Sequence, residues 1–396
     1  MAKNPERPES LSAKYSAGAL FVFYLMITIE IIMMASPFTA YYYSAYGPVL
    51  EFLDSHYLTK WLGAFFLPHM IFPASPVFSF LRGLCALLFY GGILIFFSAA
   101  IPLYYRKFRR KGLVSGGLYK YVRHPQYSGL AIWGLGLLLF WPRFFILVAY
   151  VTMLFLYYLL ARNEESRFAP EDYEPYRQST GMFFPRIKGL KLNFQPLAGI
   201  KSSSLRVGVA FVLTMGISVG AGFALKSFTT GQLPQIYLDN LRVVSVKQMP
   251  DAKMKNIVQA VLADPQIRPQ IDLESTYLAY LMPQDYKMSA LVAHLPDEKK
   301  QDMGRFHFMT NVFHMFVKGM QRECCLESSG AGNLRIIFLK VSHEDNSPVS
   351  PHEAFDVYTK RTPVLYADIE PHTEKVLVSR QLAPGNKWGN LPQAVF

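Results

Sequence analysis

One short stretch of the sequence, KGLVSGGLYKYVRHPQYSGL from Lys111 to Leu130, combines residue types that can hold a polar ligand. Pro125 fixes its own φ and disfavours helical geometry at the preceding residue. His124 is therefore expected at a helix entrance, with its ring free to donate or accept. Glycines let a ligand approach the backbone, and they stand at Gly112, Gly116 and Gly117. Tyrosines offer flat apolar faces with a polar tip, and they stand at Tyr119, Tyr121 and Tyr127.

A second group of chemically capable residues, Arg162, Glu164, Glu165 and Arg167, follows a later apolar run. A carboxylate at a membrane boundary is costly unless it is paired, so a functional or strongly paired role is expected for these glutamates. Aromatic faces, an imidazole and a carboxylate together suit a ligand with an adenine ring, ribose hydroxyls and a cationic amino group. We expect one of the two glutamates to contact such a ligand.

The elements that must position these groups are apolar enough to cross a membrane. Hydrophobic residues make up 51% of the 396-residue chain and charged residues only 17%, which is unusually apolar for a soluble protein. A helix needs about 20 apolar residues to cross the hydrocarbon core. Uncharged runs near this length are Gly83–Tyr105, Gln126–Pro142, Phe144–Ala161 and Val207–Leu225, and further candidates are Ala17–Ala35 and the proline-broken Trp61–Leu81. The sequence thus predicts an α-helical integral membrane domain with five or six spanning helices.

Charge and turn signals set the expected orientation. Arg106–Pro125 is rich in Lys and Arg and has no acid, and such short loops stay in the cytoplasm. Only Trp141-Pro142-Arg143 separates two apolar runs, which predicts a tight helical hairpin. The two ends of this hairpin, near His124 and Glu165, must then meet on the cytoplasmic side. Val207–Leu225 is predicted to cross the membrane again, so the chain after it is expected on the outer side. We predict that the membrane is a bacterial inner membrane.

The two parts of the chain differ in charge. Residues 231–396 carry equal numbers of basic and acidic residues, so the whole net charge of +12 belongs to residues 1–230. We predict a membrane-embedded domain over 1–230 and an extracytoplasmic C-terminal α/β soluble domain of unknown role over 231–396. Its strands are predicted at Leu241–Gln248 and Leu334–Val341, and its helices at Lys253–Ala263 and Phe306–Arg322.

Metal and disulfide chemistry is not predicted. His307 and His314 fall on one face of a predicted helix, but no third ligand stands at a metal-binding spacing. Cys85 lies in a membrane run, and Cys324 and Cys325 are adjacent, so the three cysteines form no disulfide framework.

At the level of motifs, the segment from about residue 80 to 190 resembles the isoprenylcysteine carboxyl methyltransferase family and its phospholipid methyltransferase relatives. The resemblance is carried by LVSGGLYKYVRHPQYSG, a helical hairpin, a Glu-Glu pair, Tyr173-x-x-Tyr176 and Phe183-Phe184-Pro185. The family consists of integral membrane enzymes that methylate with S-adenosylmethionine. Two features depart from it: the segment after the Glu-Glu pair is about three residues shorter, and Ala169-Pro170 stands where the family has Phe-Gly.

The resemblance implies roles for individual residues. It implies that Arg162 and Glu165 act in catalysis, with Arg162 as the contact to substrate. The cofactor-binding residues that it implies are Lys111, Gly112, Leu113, Val114, Tyr119, His124, Pro125, Gln126, Tyr127, Glu164 and Glu165.

The predicted function is that of an S-adenosylmethionine-dependent integral membrane methyltransferase with its cofactor at the cytoplasmic face. Its acceptor is expected to be lipophilic, or a thiol or carboxyl, and to enter from the bilayer. The C-terminal domain is expected to meet a protein partner or substrate, and nucleic acid is not expected. Two alternatives remain open: an NADPH-dependent membrane reductase of the sterol reductase type, and a membrane anchor for an outer binding domain.

Overall fold

The computed structural model describes nine ranges of the chain and four isolated residues near its start. The ranges are 52–53, 55–68, 76–109, 114–140, 142–167, 170–186, 202–272, 274–284 and 332–382, and the isolated residues are Gly18, Phe21, Val22 and Leu25. The predicted crossing at Ala17–Ala35 lies mostly outside the described residues. The predicted helix at Phe306–Arg322 and the site residues Lys111, Gly112 and Leu113 lie wholly outside them.

By packing, the described chain divides into two compact units. The helical unit holds residues 81–109, 114–140, 146–167, 170–186 and 202–221, together with the isolated residues near the start. The sheet unit holds residues 52–53, 55–68, 76–80, 142–145, 222–272, 274–284 and 332–382. The domain division at residue 230 stays a prediction.

Six α-helices lie in the described ranges. They are α1 (Pro76–Phe108), α2 (Pro125–Phe140), α3 (Phe144–Glu165), α4 (Pro170–Ser179), α5 (Ser203–Thr230) and α6 (Asp251–Ala263). Three are long and apolar enough to cross a membrane, over Gly83–Arg106, Phe144–Glu165 and Ser203–Thr230. Helix α2 has 16 residues, or about 24 Å, which is short of the hydrocarbon thickness of about 30 Å. The described residues therefore contain three of the five or six predicted spans.

Helices α1 and α2 pack with their backbones in close contact. A Cβ atom on Gly129 would lie 2.5 Å from the backbone nitrogen of Phe96, and one on Gly136 would lie 2.6 Å from that of Phe89. Cys85 Sγ donates a hydrogen bond to the Gly136 carbonyl at 3.2 Å. Glycine at these two positions allows the close approach that membrane helices use in place of hydrophobic driving force.

Residues 142–145 belong to the sheet unit, and they pair there with a short extended segment, residues 64–66. Phe66 N donates to the Pro142 carbonyl at 2.8 Å, and Phe144 N donates to the Ala64 carbonyl at 3.1 Å. The buried guanidinium of Arg143 lies over the ring of Phe65, 4.7 Å from its centre. This pairing satisfies backbone groups that a turn in an apolar setting would otherwise leave unpaired.

Six strands form one sheet in the order in which they occur along the chain. They are β1 (Gln235–Leu238), β2 (Leu241–Ser245), β3 (Thr276–Pro283), β4 (Leu334–Ser342), β5 (Lys360–Glu370) and β6 (Lys375–Gln381). Strands β2 and β3 pair in parallel, and the other neighbours pair antiparallel. The parallel pair follows from α6, which carries the chain back across the sheet between these strands.

The core of the sheet unit lies between α6 and one face of the sheet. Met254, Ile257, Val258 and Val261 are fully buried, at the i, i+3, i+4, i+7 spacing of an amphipathic helix. They pack in one cluster with strand residues that include Val243 and Phe338. The two predicted strands and the predicted helix at Lys253–Ala263 are confirmed, although β2 ends at Ser245 and not at Gln248.

Candidate functional site

His124 stands directly before α2, whose first residue is Pro125. Its backbone nitrogen donates to the Met182 carbonyl at 3.0 Å, and its own carbonyl accepts from Ser128 N at 3.1 Å. Ser128 Oγ also donates to the Phe183 carbonyl at 2.8 Å. Pro125 thus begins α2 directly after the extended residues that precede it. The segment after α4 holds those residues in place through these hydrogen bonds.

The segment that holds His124 turns sharply at Gly181. Arg123 N donates to the Gly181 carbonyl at 2.8 Å, and Val122 and Gly181 form an isolated parallel bridge. A Cβ atom on Gly181 would lie 1.8 Å from the Phe184 carbonyl oxygen. Only glycine allows the backbone to fold back on itself here.

The hairpin of α2 and α3 brings the imidazole to the glutamate pair at the end of α3. Arg123 Nε donates to Glu165 Oε1 at 2.7 Å, and His124 Nε2 lies 3.1 Å from the same oxygen. On the other carboxylate, Tyr127 Oη donates to Glu164 Oε1 at 2.5 Å. His124 Nδ1 lies 3.5 Å from Glu164 Oε2. We call Arg123, His124, Glu164 and Glu165 the carboxylate cluster.

Arg123 joins the carboxylate cluster to the end of α4. Its Nη1 donates to the carbonyls of Arg177 at 3.0 Å and Thr180 at 2.6 Å. The free carbonyls at a helix C-terminus carry partial negative charge, so a guanidinium is favourable there. Arg123 therefore neutralises Glu165 and caps α4 with the same group.

An aromatic stack lies beside the carboxylate cluster. The rings of His124 and Tyr127 stack with their centres 5.6 Å apart and their planes 19° apart. Tyr127 stacks in turn on the buried Tyr157, at 5.1 Å and 15°. Phe183 lies 6.1 Å from the His124 ring. These faces provide the apolar walls that the sequence predicts for a flat ligand.

Tyr119 is held by a separate network near the end of α1. Gly117 takes a φ of +62° at the start of a 3-10 turn over Gly117–Lys120, which turns Tyr119 into the interior. Tyr119 Oη lies 3.2 Å from both the Ala99 carbonyl and Gln126 Oε1. Tyr176 Oη donates to the Tyr119 carbonyl at 2.7 Å. Burial is the main reason that the pKa of Tyr119 is raised, so its hydroxyl stays protonated.

The two glutamates differ in how accessible they are. The side chain of Glu165 is 13% exposed and that of Glu164 is 40% exposed. Burial lowers the pKa of His124, but hydrogen bonds to Glu164 and Glu165 and their charges outweigh burial and leave the pKa raised. Two carboxylates thus share one guanidinium and one imidazole. Glu164 is the acceptor that a cationic ligand could reach.

The predicted site residues fall into three groups. Eight of them lie either at the carboxylate cluster, namely His124, Pro125, Tyr127, Glu164 and Glu165, or in the separate network around Tyr119, namely Val114, Tyr119 and Gln126. Arg162 does not join them: its exposed guanidinium lies 3.4 Å from Tyr158 Oη and 3.5 Å from Ser203 Oγ. Lys111, Gly112 and Leu113 are outside the described residues. The catalytic and binding roles stay predictions.

Sequence reasoning missed the partner of Glu165. From the sequence alone, Arg123 is one of the positive charges of a basic loop. Arg123 directly precedes His124, and its side chain bonds Glu165. Within the described ranges, no group of three or more His, Cys, Asp or Glu side chains could hold a metal ion. His307 and His314 lie outside those ranges.

Comparison with known proteins gives one match. The family model described as Phospholipid methyltransferase matches residues 82–175, a segment that holds nearly all of α1, all of α2 and α3 and the first part of α4. Neither the search of curated proteins nor that of solved structures gives a match. The predicted resemblance is confirmed over this segment, which is under a third of the chain. With the three apolar helices, the match indicates an integral membrane protein with a methyltransferase-like segment.

Proposed function

We propose that the protein is an S-adenosylmethionine-dependent membrane methyltransferase that acts on a lipophilic acceptor. One observation carries the proposal. Within the segment that matches a methyltransferase family, the hairpin folds the His-Pro block onto the Glu-Glu pair, with His124 Nε2 3.1 Å from Glu165 Oε1.

The residues at the cluster fit the proposed cofactor. S-adenosylmethionine carries a sulfonium, an amino group, ribose hydroxyls and an adenine ring. The partly exposed Glu164 carboxylate is suited to an amino group or ribose hydroxyl. The ring faces of Tyr127 and His124 are suited to a flat base. Arg123 and His124 Nε2 both contact Glu165, so Glu164 is the carboxylate that is better placed to meet a cation.

Once bound, the cofactor supplies an already activated methyl group, so the protein's work is alignment and exclusion of water. Glu164 is proposed as the carboxylate that meets the cofactor, with Tyr127 Oη fixing its orientation. Glu165 is proposed as a positioning residue, because its carboxylate already bonds Arg123 and His124. Tyr157 and Phe183 line the ring stack and keep it apolar.

The acceptor is proposed to reach the site sideways from the bilayer, and a thiol or carboxyl group is the expected nucleophile. Arg162 is a candidate contact for it, because its guanidinium is exposed at the end of a spanning helix. The cofactor site is proposed to face the cytoplasm, since the loop around Arg106–Pro125 is basic and free of acids. We propose that the membrane is a bacterial inner membrane and that residues 231–396 lie outside it. There they are proposed to bind a protein partner or substrate.

Binding of radiolabelled S-adenosylmethionine to the full chain in detergent tests the cofactor. Glu164→Gln is expected to weaken binding about tenfold, because it removes the negative charge that faces the ligand. Glu174→Gln is the matched control, since that exposed glutamate bonds only Arg177 and Gln178 among the described residues. Equal affinity of Glu164→Gln and unchanged protein, or binding of NADPH in place of S-adenosylmethionine, would reject the proposal.

Methyl transfer from the same labelled cofactor to lipid extracts and to prenylated thiols tests the acceptor. We expect label in a chloroform-soluble product with unchanged protein and with Glu174→Gln, and a large loss with Glu164→Gln. Arg162→Met is expected to raise the KM for the acceptor and to leave cofactor affinity unchanged. Label that appears only in water-soluble products would contradict the lipophilic acceptor.

A further inference from the structure

The end of the helical unit that carries the carboxylate cluster is also the end at which its apolar helices stop. Helix α3 ends at Glu165 and α5 begins at Ser203, and Arg162 Nη1 lies 3.5 Å from Ser203 Oγ. The apolar span of α1 ends at Arg106. Because α1 packs antiparallel to α2, it ends beside the start of α2. Helices of this length and composition end where the hydrocarbon of a bilayer gives way to headgroups, so this end of the unit corresponds to a membrane boundary.

Two chain segments at this end pair with each other and carry exposed side chains. Val122 and Gly181 form an isolated parallel bridge, and Arg123 N donates to the Gly181 carbonyl at 2.8 Å. The residues just before Val122 and just after Gly181 therefore lie on neighbouring segments. We call four exposed residues of these segments the interface patch: Lys120, Tyr121, Phe184 and Arg186.

The backbone around Phe184 is held in place, so the outward position of its ring is part of the fold. Phe183, directly before it, lies 6.1 Å from the His124 ring, and the Phe183 carbonyl accepts from Ser128 Oγ at 2.8 Å. Phe184 is nevertheless 82% exposed, and Tyr121 is 59% exposed. An exposed aromatic ring gains free energy when an apolar surface covers it. In membrane proteins, such rings concentrate at the level of the lipid headgroups.

The charges of the interface patch are positive. Lys120 and Arg186 are both exposed, and the segments 114–123 and 180–186 contain no Asp or Glu. Arg186 Nη1 donates to the uncharged Gln178 carbonyl at 2.5 Å, which holds this side chain at the surface. Cations beside exposed rings complement a surface in which negative headgroups cover apolar chains.

We propose that the interface patch binds the surface of a bilayer that contains acidic phospholipids. The rings of Tyr121 and Phe184 insert at the level of the headgroups, and Lys120 and Arg186 meet lipid phosphates. Lipid is favoured over a protein partner because the patch lies where the apolar helices end and combines rings with cations and no acid. This contact does not depend on the proposed methyl transfer.

The preference for acidic lipid is tested on the full chain in phosphatidylcholine bilayers that contain a trace of spin-labelled phosphatidylglycerol or spin-labelled phosphatidylcholine. Electron paramagnetic resonance measures the fraction of each labelled lipid that the protein immobilises. We expect phosphatidylglycerol to be preferred, and Lys120→Gln combined with Arg186→Gln to lower that preference at least about twofold. Lys253→Gln combined with Lys255→Gln removes two exposed cations of α6 and should leave it unchanged. Equal immobilisation of the two lipids, or an equal loss in both double variants, overturns the proposal.

The insertion of the ring is tested with Phe184→Trp, whose added fluorescence is measured as the difference from the unchanged chain. We expect phosphatidylcholine brominated close to its headgroup to quench this signal strongly. Leu94→Trp, at an exposed position within the span of α1, is the reference and should respond best to lipid brominated deep in the acyl chain. Quenching of Phe184→Trp by acrylamide in the water phase and by neither lipid would show that the ring faces water, and would overturn the proposal.

Discussion

The carboxylate cluster of the helical unit and the ion pair of Arg335 with Asp368 in the sheet unit both bury opposite charges, but they differ in how the charges are matched. In the sheet pair, one guanidinium serves one carboxylate: Arg335 Nε and Nη2 donate to the two oxygens of Asp368 at 2.6 and 2.8 Å. In the carboxylate cluster, two glutamates share one guanidinium and one imidazole, and the guanidinium bonds Glu165. The sheet pair is therefore closed, whereas Glu164 is the carboxylate that a cationic ligand could reach.

The largest expected effect separates the two sites by removing the guanidinium from each. Arg335→Met leaves the buried Asp368 without its guanidinium, and breaking such a pair costs about 3–5 kcal/mol. Arg123→Met is expected to cost less, because His124 Nε2 still lies 3.1 Å from Glu165 Oε1. Denaturant unfolding of both variants, compared with the unchanged chain, measures the difference.

Arg177→Met is the matched control for Arg123→Met. Its ion pair with Glu174 is exposed on both sides, and such pairs contribute about 0–1 kcal/mol. If Arg123→Met destabilises the chain as much as Arg335→Met does, the imidazole does not compensate for the lost guanidinium and the comparison fails.

The carboxylate cluster was largely predictable from the sequence, because a short turn forces two apolar runs into a hairpin. That constraint alone brings His124 and Glu165 to the same end of the hairpin. It does not say which way a side chain points from α3. Arg162 stands one turn before Glu165 but bonds Tyr158 and Ser203, and Arg123 takes the position beside the carboxylate.

The sheet pair was not predictable, because Arg335 and Asp368 lie opposite each other only once β4 and β5 pair. The strands of the sheet were also partly hidden. Every residue of β3 is buried, so the strand lacks the alternation that marks a half-exposed strand. Strand β5 contains Pro363, which argues against a central strand. The proline is tolerated because the pairing of β4 and β5 shifts register beside it, between Phe338 and Leu339.

The second prediction tests whether the carboxylate cluster depends on a rigid backbone. Gly181→Ala would bring a Cβ to 1.8 Å from the Phe184 carbonyl oxygen, so the turn that anchors Arg123 must shift, at a cost of about 1–3 kcal/mol. Gly116→Ala is the control, since nothing lies within 4 Å of its Cβ position. Gly181→Ala alone should lower the thermal unfolding midpoint and weaken S-adenosylmethionine binding. Equal behaviour of the two variants would show that the turn is adaptable.

The third prediction concerns the more accessible carboxylate. Tyr127→Phe keeps the ring that stacks on Tyr157 but removes the hydroxyl that orients Glu164. A hydrogen bond to a charged group contributes about 1.5–3 kcal/mol, so cofactor affinity should fall by about tenfold or more. Tyr121→Phe, at an exposed position, should leave affinity unchanged. Full affinity in Tyr127→Phe would mean that Glu164 needs no orienting group.

The smallest expected effect is a pH dependence of the carboxylate cluster near neutrality. The pKa of His124 is raised in the folded protein, because Glu164 and Glu165 outweigh burial. Its stabilising contribution is therefore complete below the ordinary histidine pKa of about 6.5 and is lost as pH rises through the higher folded value. The slope is limited to about 1.4 kcal/mol per pH unit, since one proton is released. Unfolding free energy of the cofactor-free chain between pH 6 and 9 should fall with pH, and His124→Gln should flatten the decline. An equal slope in this variant would place the titrating group elsewhere.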